Sequence, residues 1–108
     1  MSQKNLGPLE QKVMDCIWRI ENVSVRDVYA CLKKSRKIAY TTIMTVMTRL
    51  TIKGFLLRKK KGKAYIYSPK KSKRQAVKDA VKKMFDSLLE QYGQETVAAF
   101  TDELKKRK

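Results

Sequence analysis

Ile43, Val46, Met47 and Leu50 follow one another at steps of 3, 1 and 3. That spacing puts all four on one side of a helix at about 100° per residue. Gly54 follows at once and suits the position just past a helix end. The hydrophobic period then changes. Residues 55–59 read as a strand, Lys60-Lys61-Gly62-Lys63 as a turn, and 64–68 as a second strand closed by Pro69. In that second strand Tyr65 and Tyr67 share one side and Ala64 and Ile66 the other.

Two further helices are expected upstream. Gly7-Pro8 opens the first, with Pro at a position where its missing N–H is not needed. Leu9, Val13, Cys16, Ile17 and Ile20 recur along it, with Met14 and Trp18 widening the stripe. Ser24 reads as the cap of a second helix and Asp27, three residues on, as its reciprocal partner. Val28, Cys31 and Leu32 form its inner face. Three helices followed by a hairpin is the order of a winged helix-turn-helix, with Val23 available as a short extra strand. The third helix is expected to start near Tyr40 or Thr41.

The remainder is helical. Ala76-Val77, Ala80-Val81, Met84-Phe85 and Leu88-Leu89 repeat in pairs every four residues, up to a break at Gly93. Such an apolar surface is too wide for a helix with one neighbour. Val77, Val81, Met84, Phe85, Leu88 and Leu89 are therefore candidates for dimerisation, against the alternative that this helix folds back on its own winged domain. Val97, Phe100 and Leu104 mark a short final helix. The chain is thus expected to be mostly α with a small β-hairpin wing: a winged helix-turn-helix DNA-binding domain over 1–69 and a helical dimerisation region over 70–108.

Charge narrows the partner. The formal net charge is +16 over 108 residues, and no acidic residue stands between Asp27 and Asp79. That 51-residue window carries sixteen Lys and Arg. A surface serving solubility mixes both signs. A one-sign surface creates a field suited to a polyanion, with nucleic acid the commoner partner and an anionic membrane surface the second. No apolar run approaches the roughly 20 residues of a membrane span, and no apolar signal region follows the N-terminus. A cytoplasmic location without membrane association is the expectation.

Two cysteines, Cys16 and Cys31, stand 15 apart among apolar neighbours, with no His anywhere in the chain. Zinc needs four ligands at closer spacing, so no metal and no cofactor is expected. The pair reads as two reduced core thiols, with a redox switch as the alternative. Without His, clustered carboxylates or a nucleophile–base pair, no catalytic constellation is present, and the chain is not read as an enzyme.

Opposite the core face of the third helix lie Thr41, Thr45 and Thr48, with Met44 at the edge. A small uncharged surface in a lysine-rich chain is not what solubility selects. A Thr hydroxyl can bond a phosphate or a base edge, and its methyl can touch a thymine methyl. The N-terminal residues of a recognition helix are those that approach bases. The alternatives are that Thr41 merely caps the helix and that Thr45 and Thr48 are idle surface. Lys60, Lys61 and Lys63 would neutralise phosphates from the wing, and Arg36, Lys37 and Tyr40 would contact backbone ahead of the helix. Such contacts position the protein without specifying sequence. Arg49 is open to either backbone contact or a bond back to the first helix. An architectural, sequence-independent nucleic-acid binder would share the charge but would favour Lys or Arg on this helix face.

The segment Ala39-Tyr40-Thr41-Thr42-Ile43-Met44-Thr45-Val46-Met47-Thr48-Arg49-Leu50, continued by Lys53-Gly54-Phe55-Leu56, closely resembles the penicillinase repressor family. That family includes the regulators of β-lactamase, of methicillin resistance and of copper transport. Leu9-Glu10-Gln11-Lys12-Val13-Met14-Asp15-Cys16-Ile17-Trp18 and Gly62-Lys63-Ala64-Tyr65-Ile66-Tyr67-Ser68-Pro69 agree with it. The resemblance implies a homodimeric repressor on a palindromic operator, with base contacts at Thr41, Thr42, Met44 and Thr45. It also implies a dimer built by helices over 73–91 and 95–106, which brings in Val97 and Phe100. Family members usually carry one more acidic C-terminal helix, so with the chain stopping at Lys108 a weaker or differently built dimer is expected. The cysteine-rich tail of the copper-sensing branch has no counterpart, so direct copper sensing is not implied. The operator, the regulated genes, the inducer and any sensor partner have no signature in these residues.

Overall fold

A computed structural model describes residues 6–34 and 37–107. The elements run α1 (Pro8–Ile20), α2 (Val25–Leu32), α3 (Tyr40–Lys53), β1 (Leu56–Lys61), β2 (Ala64–Pro69), α4 (Lys73–Tyr92) and α5 (Glu95–Lys106). The chain divides into one compact unit ending at Ser72 and a second starting at Lys73.

Local chemistry sets the ends of the first unit's helices. Gly7 precedes α1, with Pro8 at its first position. At α2 the Ser24 amide donates to the Asp27 carboxylate at 3.0 Å and the Asp27 amide donates to the Ser24 hydroxyl at 3.2 Å, which satisfies two amides that a helix start leaves open. Helix α3 ends at Gly54 with φ +90°, a left-handed backbone that costs an L side chain about 1–2 kcal/mol. The Phe55 amide then donates to the Leu50 carbonyl at 2.9 Å, turning the chain into β1.

The expected inner faces meet in one cluster, except that Ile20 at the end of α1 is 47 % exposed and lies outside it. Val13, Met14, Cys16 and Ile17 of α1 join Val28 and Leu32 of α2, the four apolar residues of α3, and Val23, Leu56 and Tyr67. Val23 bridges to Tyr67, with amide-to-carbonyl distances of 2.9 and 2.7 Å. This third strand is one residue long. The Trp18 indole N–H donates to the Lys71 carbonyl at 3.0 Å, tying α1 to the segment after β2.

Strands β1 and β2 pair antiparallel, from Leu56 opposite Pro69 to Lys61 opposite Ala64. The strand is longer and the turn shorter than the sequence pattern suggests. Lys60 and Lys61 belong to the ladder, and only Gly62 and Lys63 connect the strands. Gly62, with φ +66°, supplies the positive φ that a two-residue hairpin turn demands.

The cysteines also depart from expectation. They are not free thiols: Cys16 and Cys31 form a disulfide between α1 and α2. Packing of the two helices brings their Cα atoms to 6.4 Å, within the span a disulfide bridges. A separation of 15 along the chain says nothing of that distance.

In the second unit, the Phe85 and Phe100 rings meet at 5.2 Å and the Thr96 hydroxyl donates to the Leu88 carbonyl at 3.0 Å. These contacts hold α4 and α5 together. No residue of α4 is buried. No helix of the described residues is long and apolar enough to cross a membrane.

Candidate nucleic-acid interface

Helix α3 presents two opposed surfaces. Ile43, Val46, Met47 and Leu50 are buried, while Thr41, Thr42, Met44, Thr45, Thr48 and Arg49 are exposed. The outward stripe carries no acid and, over its first two turns, no charge at all. It runs on to Ile52, 81 % exposed. Ile52 continues the 4, 3, 4 spacing of Thr41, Thr45 and Thr48, a periodic signal that the sequence reading passed over.

Thr41 does not cap the helix. Ala39 holds that position with no side-chain bond, so the first turn of α3 keeps its partial positive charge open to an anion. The Thr45 hydroxyl donates to the Thr41 carbonyl at 3.0 Å. A hydroxyl has one proton, so with it spent Thr45 offers outward only lone pairs and a methyl group. That limits it to accepting from a base amino group or touching an apolar base edge. Tyr40 stands at the head of the helix with its ring 5.6 Å from that of Tyr29, edge to face, which braces the start of α3 against α2. Lys33 lies over the Tyr29 ring at 5.8 Å, and Lys37 is exposed nearby. Arg36 lies outside the described residues.

The wing does not present its lysines together. Successive strand residues point to opposite faces, so Lys60 shares a face with Arg58, Tyr65 and Tyr67, while Lys61 shares the other with Lys59 and Ile66. The Arg58 guanidinium stacks 4.2 Å from the Tyr65 ring, a cation–π contact on the solvent side of the wing, where such a pair contributes about 0.5–1 kcal/mol. Arg58 and Lys59 are cationic wing residues that the sequence reading left out. The run Leu56-Leu57-Arg58-Lys59-Lys60-Lys61 shows no apolar–polar alternation that would have assigned these residues to faces. Lys63 sits alone at the tip.

One buried acid anchors the reading helix. Glu10 is 6 % exposed. Its Oε1 accepts from the Gly7 amide at 2.8 Å and from the Lys53 ammonium at 2.8 Å. The bond to the first helix therefore comes from Lys53, at the end of α3. Arg49 is exposed and lines, with Thr42, Thr45, Gly7 and Pro8, the open groove between the two helices. Burial opposes ionisation of Glu10, but the Gly7 amide, Lys53 and the charge of Arg49 outweigh it and hold its carboxyl below the usual value. An unfolded Glu titrates near about pH 4.3. Below that value the unfolded chain takes up a proton that the folded chain resists, so the stabilisation is complete above about pH 5 and is lost as pH falls through 4.3 toward the folded value. Glu10→Gln is expected to cost about 1–2 kcal/mol at pH 7 and to flatten the acid limb of a thermal-stability profile. Parallel profiles for the two proteins would remove Glu10 as its source.

The second unit's candidates divide into two groups. Val77, Val81 and Met84 are each about half exposed, at 51, 51 and 54 %, and Val97 is 42 % exposed. Phe85, Leu88, Leu89 and Phe100 are half-buried, with Phe85 and Phe100 engaged by each other. Tyr92 and Leu104, 62 and 66 % exposed, extend the uncovered surface beyond what the sequence reading named.

The winged fold is shared with solved structures. The solution structure of the DNA-binding domain of the repressor BlaI matches with a TM-score of 0.59 at 28 % identity, over 68 % of this chain and 90 % of that one. Bacillus licheniformis BlaI, solved as a monomeric form in complex with the blaP half-operator, matches with a TM-score of 0.55 at 29 % identity, over 64 % and 84 %. Transcriptional regulator BlaI of Mycobacterium tuberculosis is 45 % identical over 65 residues, 59 % of this chain and 47 % of its own length. The penicillinase repressor of Bacillus licheniformis is 33 % identical over 64 residues, 59 % and 50 % respectively. The chain thus spans about half the length of these curated relatives. Over its own length the match is nearly continuous, since the sequence model of the penicillinase repressor family covers residues 6–108. The chain belongs to the penicillinase repressor family.

Proposed function

We propose that this protein is a sequence-specific transcriptional repressor that binds a palindromic operator as a homodimer in the cytoplasm. The observation that carries the reading is the exposed, uncharged stripe of Thr41, Met44, Thr45 and Thr48 on a helix otherwise flanked by cations. Bulk attraction to phosphate has no use for such a stripe, whereas Thr hydroxyls can bond base edges and Thr and Met methyls can touch thymine methyls in a major groove. The BlaI half-operator complex lends the same use of this fold. Thr42 borders the groove toward α1, where a phosphate is the nearer contact. Lys37, Tyr40, Lys60, Lys61, Lys63 and Arg36 serve the backbone in this reading. Residues 1–69 act as the reader and 70–108 as the dimerisation region.

The dimer rests on the uncovered face of α4. Val77, Val81, Met84, Leu88 and Tyr92 fall within about 80° of one another around the helix axis. A second copy of the same face covers it symmetrically, in the isologous arrangement usual for homodimers. Two readers then enter successive major grooves about 34–36 Å apart.

Selection from a random duplex library tests the reading. The expected product is an inverted repeat, protected in footprinting at two half-sites. Even protection of unrelated DNA would instead favour an architectural binder. Met84→Asp is expected to weaken self-association by about 30-fold in sedimentation, since a charge would be buried in the apolar seam. Unchanged association would mean that α4 is covered in another way.

A further inference from the structure

We propose that Cys16 and Cys31 form a reversible thiol–disulfide exchange site, entered at the Cys31 sulfur and served by low-molecular-weight thiols and disulfides of the glutathione class. The two ends of the pair are built differently. Cys16 is 1 % exposed in the core face of α1, while Cys31 is only partly buried in the last turn of α2. Of the two residues, only Cys31 has surface at which a small thiol can approach. Arg19, exposed on α1, donates to both, at 3.2 Å from the Cys31 Sγ and 3.6 Å from the Cys16 Sγ. A guanidinium beside a thiol favours the thiolate, which is both the nucleophile and the better leaving group in exchange. A merely structural bridge has no need of a cation over an accessible sulfur.

The steps balance as follows. In reduction, an external thiolate attacks Cys31 Sγ, the Sγ–Sγ bond breaks, and Cys16 leaves as a thiolate within reach of Arg19. Cys31 is then a mixed disulfide. A second external thiolate attacks the external sulfur of that mixed disulfide and releases the Cys31 thiolate beside Arg19. The two external thiols depart as one disulfide, and solvent supplies protons to the protein thiols. Oxidation is the reverse. The Cys31 thiolate attacks an external disulfide and expels one thiolate. Cys16, deprotonated by water, then attacks Cys31 Sγ and expels the second. Two protein thiols are oxidised and one external disulfide is reduced to two thiols.

The bridge fastens the end of α2 to α1 at the point where the chain departs toward α3. Reduction reopens a loop whose closure restrains the unfolded chain, so the reduced protein should melt about 10 °C lower. The test uses the full chain in reduced and oxidised glutathione buffers, quenched by alkylation and mapped by mass spectrometry. The expected result is a fully reversible two-electron titration of the folded protein. In the reduced wild type, brief iodoacetamide treatment should label Cys31 at least tenfold faster than Cys16. Arg19→Gln should slow Cys31 labelling about tenfold at neutral pH and move the pH midpoint of labelling upward. Cys16→Val should accumulate glutathione on Cys31, whereas Cys31→Ser should leave Cys16 unmodified. Cysteines that never pair in oxidised buffer, equal labelling of the two, or a midpoint indifferent to Arg19 would each overturn the proposal. Because wild-type labelling needs no variant, a poorly folded mutant does not decide the outcome.

Discussion

Thr45→Glu is expected to lower affinity for the selected inverted repeat by about 100-fold, close to 2.8 kcal/mol, while binding to unrelated duplex falls less than fivefold. Thr45 occupies the middle of the outward stripe, one turn beyond Thr41 and one before Thr48. Its hydroxyl is committed to the Thr41 carbonyl, so what it offers DNA is a methyl group and two lone pairs at close range. A glutamate there fills the space a base edge would occupy and carries a negative charge among phosphates. On unrelated duplex, attraction of the basic surface to phosphate is expected to dominate, and one added charge is a small part of a net +16. Competitive gel-shift or anisotropy titrations at fixed salt separate the two terms. Equal losses on both DNAs would place Thr45 away from the bases.

Leu50→Ala is expected to destabilise the winged unit by about 3 kcal/mol, a drop in melting temperature of about 15 °C for a unit of this size. Leu50 is fully buried in the cluster that joins α1, α3 and β1. Its carbonyl also receives the Phe55 amide at the exit from α3, so the side chain is held by backbone on a segment with little freedom to collapse into the vacated space. Ile52, two residues on and almost fully exposed, supplies the control: Ile52→Ala should stay within about 0.5 kcal/mol of the parent. Denaturant melts of the two variants check the contrast. A Leu50→Ala loss below about 1 kcal/mol would mean that the core closes over the gap.

The fold was largely open to reading because its signals are local. Steps of 3 and 4 in α3, Pro8 after Gly7, Ser24 with Asp27, and the Tyr65 and Tyr67 alternation each act over one or two turns of chain. Periodicity also divided α3 correctly into a buried and an exposed face. Errors arose where a position's partner is distant in sequence. A run of lysines looks like a turn by composition, yet pairing with 64–69 holds Lys60 and Lys61 in the strand and sends them to opposite faces.

By itself the amino-acid sequence determined the order of elements, the basic character of the chain and the uncharged face of α3, because these follow from backbone propensity, apolar spacing and counted charge. Only the tertiary structure decided which groups at distant positions became neighbours: Glu10 with Lys53, Arg58 with Tyr65, and Cys31 with Cys16 under Arg19. The physical reason is that a separation of 43 residues, or of 15, carries no distance until helices pack. Close packing then converts a shared apolar face into contacts only a few ångströms long.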